Sequence, residues 1–183
     1  MDRALIELGA HTLLKGLGVD TTDHNFATTP KRMADVFEEV FCPKSTGWPV
    51  FDEEYTDIVI LRGHTFYTFC PHHLLPVRIV ASVAYFPDGM VIGASKLARL
   101  IHEVNTSPLT QEKLTDLICH AIKEYTKGSS QGEAVYLTGA HGCFQMRGIK
   151  SEADMLTYKF SGCFEESENQ RRFIQLVESA HRR

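Results

Sequence analysis

The chain has 183 residues, 43% hydrophobic and 23% charged, with a formal net charge of −4. That length suits one domain with a small appendage, and the composition excludes a disordered or fibrous chain. The slight acidity excludes an overall basic field for nucleic acid or an anionic membrane, and no transmembrane-length apolar run or signal-peptide core is found, so a cytoplasmic location is expected.

Leu5, Leu8, Leu13, Leu14 and Leu17 recur at helical spacing over residues 2–17, with Gly16 and Gly18 closing the helix. Thr28-Thr29-Pro30 opens a second helix, a threonine cap ahead of a proline in the permitted first turn. It runs through Met33, Val36, Phe37 and Val40 to Cys42-Pro43, and 44–49 reads as a connection. Residues 1–49 are therefore expected to form an N-terminal helical segment and 50–183 the main domain. Stretches 56–69 and 77–86 are rich in Val, Ile, Tyr, Phe and Thr and read as strands, the second ending at Pro87-Asp88-Gly89. Residues 95–104 and 109–125 read as helices. After a turn at 129–132, residues 133–141 and 155–164 form another strand pair, and a polar amphipathic helix starts at Ser167. Strand runs around a helical pair, without βαβ alternation, predict an α+β fold with an antiparallel sheet.

Five cysteines (42, 70, 119, 143 and 163) are an odd number without disulfide spacing. Cys119 and Cys163 fit small core positions, and Cys42 carries no signal. Cys70 heads Cys70-Pro71-His72-His73, and Cys143 ends His141-Gly142-Cys143. Zinc takes thiolate and imidazole ligands tetrahedrally, and a catalytic zinc keeps one position open. A lone C-x-x-H is common, but Pro71 stiffens the backbone that aims the two histidines. On an extended stretch neighbouring side chains point apart, so one of His72 and His73 ligates and the other faces a substrate or the fold. His141 and Cys143 would share one strand face and reach the same site.

Ser95-Lys96-x-x-Arg99 opens a helix, where Ser95 can cap free amides and Lys96 and Arg99 share a face suited to phosphate. A solvated basic turn is the other reading of that fragment. Arg147 adds a second candidate phosphate fork. Glu112, after Gln111 in the first turn of the long helix, serves either as a dipole partner or as acceptor for paired N–H groups of a guanine-like edge. The deaminase signature H-x-E with P-C-x-x-C, the H-E-x-x-H pair, the P-loop and G-x-G-x-x-G are all missing.

Thr29-Pro30-Lys31-Arg32, Cys70 to Leu74, Val91 to Arg99, Gln111 to Thr115, His141-Gly142-Cys143 and Arg147-Gly148 stand in one order. Together they resemble the GTP cyclohydrolase I family over most of the chain. The resemblance implies the tunnelling fold, an antiparallel sheet with two helices on one face, preceded by N-terminal helices. It also implies a homodecamer of two stacked pentamers, with active sites at subunit interfaces. By the same resemblance Cys70, His73 and Cys143 bind Zn2+, and an activated water attacks C8 of GTP. His141 acts as acid/base at the imidazole ring, and formate leaves. His72 and Ser95 handle protons as the ribose rearranges to give 7,8-dihydroneopterin triphosphate. Glu112, assisted by Gln111, holds the guanine edge. Lys96, Arg99, Arg147 and Arg32 hold the triphosphate, some of them from a neighbouring subunit. The product serves a tetrahydrofolate-type pterin route or a 7-deazaguanine route.

Two positions depart from the family pattern. Pro71 stands where the family usually has Glu, and Asp35 where it often has Lys, so altered triphosphate affinity is expected. Two rival activities go with the same features. One is a nitrile reductase of the same fold, which reduces a deazaguanine with NADPH. The other is a zinc-stabilised oligomer that binds a nucleotide without turnover.

Overall fold

The computed structural model of the chain describes residues 1–44 and 50–179, in two compact units, Met1–Lys44 and Ser45–Arg183. The connection expected at 44–49 lies outside the described residues from position 45 onward.

The first unit is a helix pair. Helix α1 (Arg3–Gly16) starts at an aspartate cap that the leucine pattern did not reveal, with Leu5 N donating to Asp2 Oδ1 at 3.1 Å. Helix α2 (Thr29–Phe41) carries Pro30 in its first turn, but Thr28 at the N-cap makes no side-chain bond. The proline, which needs no donor there and fixes φ, thus marks the start better than the threonine hydroxyl. Arg3 joins the helices through Glu7 at 3.0 Å, Asp35 at 2.5 Å and Glu38 at 2.6 Å. Asp35, the departing acid, is therefore already matched by a cation of its own unit.

The second unit begins with β1 (Val50–Asp52), which pairs antiparallel with β4 (Met90–Ile92), a short ladder that sequence reading did not separate from its surroundings. The main sheet is antiparallel in the order β2 (Val59–Phe69), β3 (Pro76–Pro87), β5 (Ser130–His141), β6 (Met155–Phe160). The last strand stops short of residue 164. Gly162 turns at φ 57 into a 3-10 turn, Gly162–Glu165, where a Cβ would sit 2.2 Å from the Gln131 carbonyl oxygen.

Alternation along β3 assigns the two faces. Val77, Ile79, Ala81, Val83 and Tyr85 pack under α3 (Ala94–Val104) and α4 (Gln111–Tyr125), against Leu97, Leu100, Ile101, Leu114, Ile118 and Ile122. Each fully buried Leu or Ile there contributes roughly 1.5–3 kcal/mol. Ala84 and Phe86 point the other way, with Ala134, Phe164, Phe173 and Val177, under α6 (Ser167–Glu178). The far half of β3 is thus buried on both faces and the near half alternates. The near end, where the β2–β3 loop, the end of β5 and the start of α4 meet, is left for chemistry.

Candidate functional site

The Cys70 stretch is the loop of the β2–β3 hairpin, between the paired residues Phe69 and Pro76. Cys70 N donates to Leu75 O and Leu74 N to Cys70 O, each at 2.9 Å, and Leu74 closes the loop at φ 50. A turn therefore replaces the extended stretch expected from sequence. His72 and His73 do not point to opposite sides. Their Nδ1 atoms lie 3.7 and 3.8 Å from Cys70 Sγ, because the turn folds both rings back onto the sulfur. His73 is the one that shares a cluster with Cys143: one donor atom each from Cys70, His73 and Cys143 lies within 4.8 Å of the others.

The second expectation that fails is a common strand face for His141 and Cys143. Strand β5 ends at His141, and a short helix, α5 (Gly142–Gln145), begins at once. Gly142 is buried at this break, where a Cβ would meet the Pro76 carbonyl oxygen at 3.0 Å. The change of direction sends Cys143 toward Cys70 and His141 toward α4.

The donor set fits a zinc ion. Burial, and then the Cys70 thiol beside it, push the Cys143 thiol above its ordinary value. Two adjacent thiolates oppose each other, and a divalent cation is the group that lets both ionise. Two sulfurs and one imidazole nitrogen would supply three of the four ligands that zinc takes, as a catalytic zinc requires.

His141 Nε2 lies 2.9 Å from Oε1 of Gln111, the first residue of α4. Gln111 is buried, and its amide nitrogen is placed on Leu137 O at 3.2 Å, Met155 O at 3.0 Å and Thr157 Oγ1 at 3.1 Å. The guanine contact expected of Gln111 thus meets a side chain whose amide is already committed to the fold. Burial lowers the His141 pKa, with Glu112 opposing as a nearby negative charge, so the ring is held mainly neutral at pH 7. His141 also stacks on Phe144, with ring centroids 5.7 Å apart.

Cys70, Pro71, His72, Glu112, His141 and Cys143 line one cleft of ≈ 240 Å³. A larger hollow of ≈ 360 Å³ beside Asp116, Cys119 and Lys159 contains none of the candidate metal, catalytic or substrate-binding residues. The phosphate candidates divide. Arg147 Nη1 reaches His73 Nε2 at 2.9 Å. Ser95, Lys96 and Arg99 sit on α3 and do not line the cleft. Ser95 is not the cap expected of it: Gly93 holds that position, without a side-chain cap bond. Lys96 is buried, whereas Ser95 and Arg99 are exposed. Arg32 belongs to α2 of the first unit.

Sequence reading missed Gly139, Thr115 and Thr157, which support Gln111. A glycine inside a strand was the one available signal: a Cβ on Gly139 would lie 2.1 Å from Gln111 Oε1.

The family model described as GTP cyclohydrolase I matches residues 6–178. A Streptococcus mutans protein named GTP cyclohydrolase 1 is 41% identical over 155 residues, covering 81% of this chain and 80% of that one. A Sulfurihydrogenibium protein of the same name is 34% identical over 183 residues, covering 98% and 97%. One from Rhodopirellula baltica is 36% identical over 170 residues, covering 90% and 73%.

Proposed function

The chain belongs to the GTP cyclohydrolase I family, a family of hydrolases, and on that premise we propose that it converts GTP to formate and 7,8-dihydroneopterin triphosphate. The observation that carries this reading is the meeting of Cys70, His73 and Cys143 within 4.8 Å, beside a cleft that also holds His72, Glu112 and His141. Cys70, His73 and Cys143 would hold zinc, which when bound supplies a water acidic enough to attack guanine C8 near neutral pH.

The protein's own groups supply the rest. The Glu112 carboxylate accepts the paired N–H groups of the guanine edge and fixes the base in the cleft. His141 keeps Nε2–H on Gln111 and so takes or gives a proton at Nδ1, at the opening imidazole ring. A largely neutral ring near pH 7 can do both. His72, on the cleft wall, is suited to proton transfer on the ribose side, with Ser95. Arg147 is the chain's own cation at the metal end, and Lys96, Arg99 and Arg32 complete the triphosphate grip. Because Ser95, Lys96 and Arg99 stand off the cleft of their own chain, they serve the cleft of a neighbouring copy, in a homodecamer of two pentamers. The enzyme would act in the cytoplasm, feeding a tetrahydrofolate or a 7-deazaguanine route.

The test is formate release from GTP by the zinc-loaded protein, with fluorescence of the oxidised pterin as second readout. No formate from GTP or a related purine nucleotide sinks the reading. Tight GTP binding without formate would instead identify a binding protein, and NADPH consumption with a deazaguanine nitrile would identify a reductase.

A further inference from the structure

Gln111 lies in a line of hydrogen bonds whose direction is forced at each link. The Thr115 hydroxyl, 2.7 Å from the Gln111 backbone carbonyl, must donate there, because a carbonyl only accepts. Its single proton spent, Thr115 must accept from the Thr157 hydroxyl, also at 2.7 Å. Thr157, having donated in turn, accepts from Gln111 Nε2 at 3.1 Å. The amide nitrogen also faces the carbonyls of Leu137 and Met155. An amide held this way presents Oε1, and not nitrogen, to His141, so His141 Nε2 is the donor across their 2.9 Å contact.

We infer that Thr157 and Thr115 are positioning residues that fix His141 as the Nε2–H tautomer and leave Nδ1 as its proton-handling atom. Neither threonine lines the cleft; Thr115 and Gln111 are each 3% exposed, and Thr157 is half-buried beside a separate hollow that it shares with Thr115 and Glu112. Without the Thr157 hydroxyl, one acceptor for the Gln111 amide is gone. The nitrogen keeps only the Leu137 and Met155 carbonyls, so the amide is held less firmly and the tautomer preference of His141 weakens. The two threonines come from α4 and β6, so the tautomer is set by helix-to-sheet packing. This inference rests on the proposed role of His141 in proton transfer.

The test compares Thr157→Val, Thr115→Val and Thr157→Ser in the zinc-loaded protein. In both valine variants kcat for formate release should fall about tenfold to a hundredfold, part of the roughly 10²–10⁴ that a positioned acid/base supplies. KM and zinc content should stay within about twofold, because neither threonine meets substrate or metal in this assignment. Thr157→Ser, which keeps the hydroxyl, should recover most of kcat. Ring nitrogen-15 shifts, assigned with His141→Asn, should show protonated Nε2 in the parent and a tautomer mixture in Thr157→Val. That readout needs no turnover, so it tests the inference even if the parent releases no formate. Parent-like kcat in Thr157→Val, a serine variant as impaired as the valine one, or unchanged ring shifts would each overturn it.

Discussion

Arg147 Nη1 stands 2.9 Å from His73 Nε2, and a guanidinium can only donate, so in this structure the imidazole accepts there. A metal taken by Nε2 needs that same lone pair. A metal taken by Nδ1 requires the proton to move to Nε2, which then repels the donor. On either nitrogen, metal ligation would displace Arg147 from His73 and leave it to meet an anion.

Arg147→Ala should accordingly tighten zinc binding, by up to about tenfold, the worth of one charge-assisted hydrogen bond discounted for exposure. The same change should raise KM for GTP, because a phosphate contact is lost. Chelator competition measures the first and formate kinetics the second. The favourable field of Arg147 on the Cys143 thiol is the least of the influences there, behind burial and Cys70, so it should not reverse the sign. Weaker zinc binding in Arg147→Ala would show that the arginine supports the metal site.

Removal of either sulfur should act differently from removal of the base. Cys70→Ala and Cys143→Ala each take one of three converging donors and should lose zinc and turnover together. His141→Ala should keep its zinc by elemental analysis while kcat falls by roughly 10²–10⁴. Zinc loss in the His141 variant would place that ring in the metal's ligand set.

Gly139→Ala puts a methyl group 2.1 Å from Gln111 Oε1 and 3.0 Å from Ile79 Cδ1. The Gln111 carbonyl must then leave His141, so formate release should drop, and overpacking should cost about 1–3 kcal/mol of stability. Urea unfolding and initial rates measure the two effects. A fully active Gly139→Ala protein would show that the His141 contact is dispensable.

His64 and His102 face one another with Nε2 atoms 3.1 Å apart and rings nearly perpendicular. Burial lowers both pKa values, and the charge of His102 lowers that of His64 further. Folded pKa values below the unfolded value of about 6.5 mean that the unfolded chain binds more protons as pH falls. Stability is whole above about 6.5 and drains as pH drops from there toward the folded values. Thermal midpoints between pH 7.5 and 5 should therefore fall less steeply in His102→Gln than in the parent, and parallel curves would exclude the pair as the source.

Much of the fold was legible in the chain because its signals are local. Leucine spacing located α1, Pro30 located α2, and runs of β-branched and aromatic residues located β2 and β3. The misses were decided by a single backbone angle or by a distant partner. Leu74 at φ 50 closes a turn at the histidine pair, and Gly162 at φ 57 ends β6 early. The break at Gly142 cannot be read from a stretch that looks like continuing strand.

The sequence by itself determined the chemistry available: two thiols and a set of imidazoles in short stretches, an acid at a helix start, and cations spread along the chain. Side-chain type sets what an atom can donate or bind, and type is written residue by residue. Tertiary structure alone decided the company each group keeps. Hairpin β2–β3 and the end of β5 bring Cys70 and His73 to Cys143, while α4 and β6 lock Gln111 onto His141. Those contacts join residues far apart in sequence. They arise because one buried sheet face fixes the register of every strand across it.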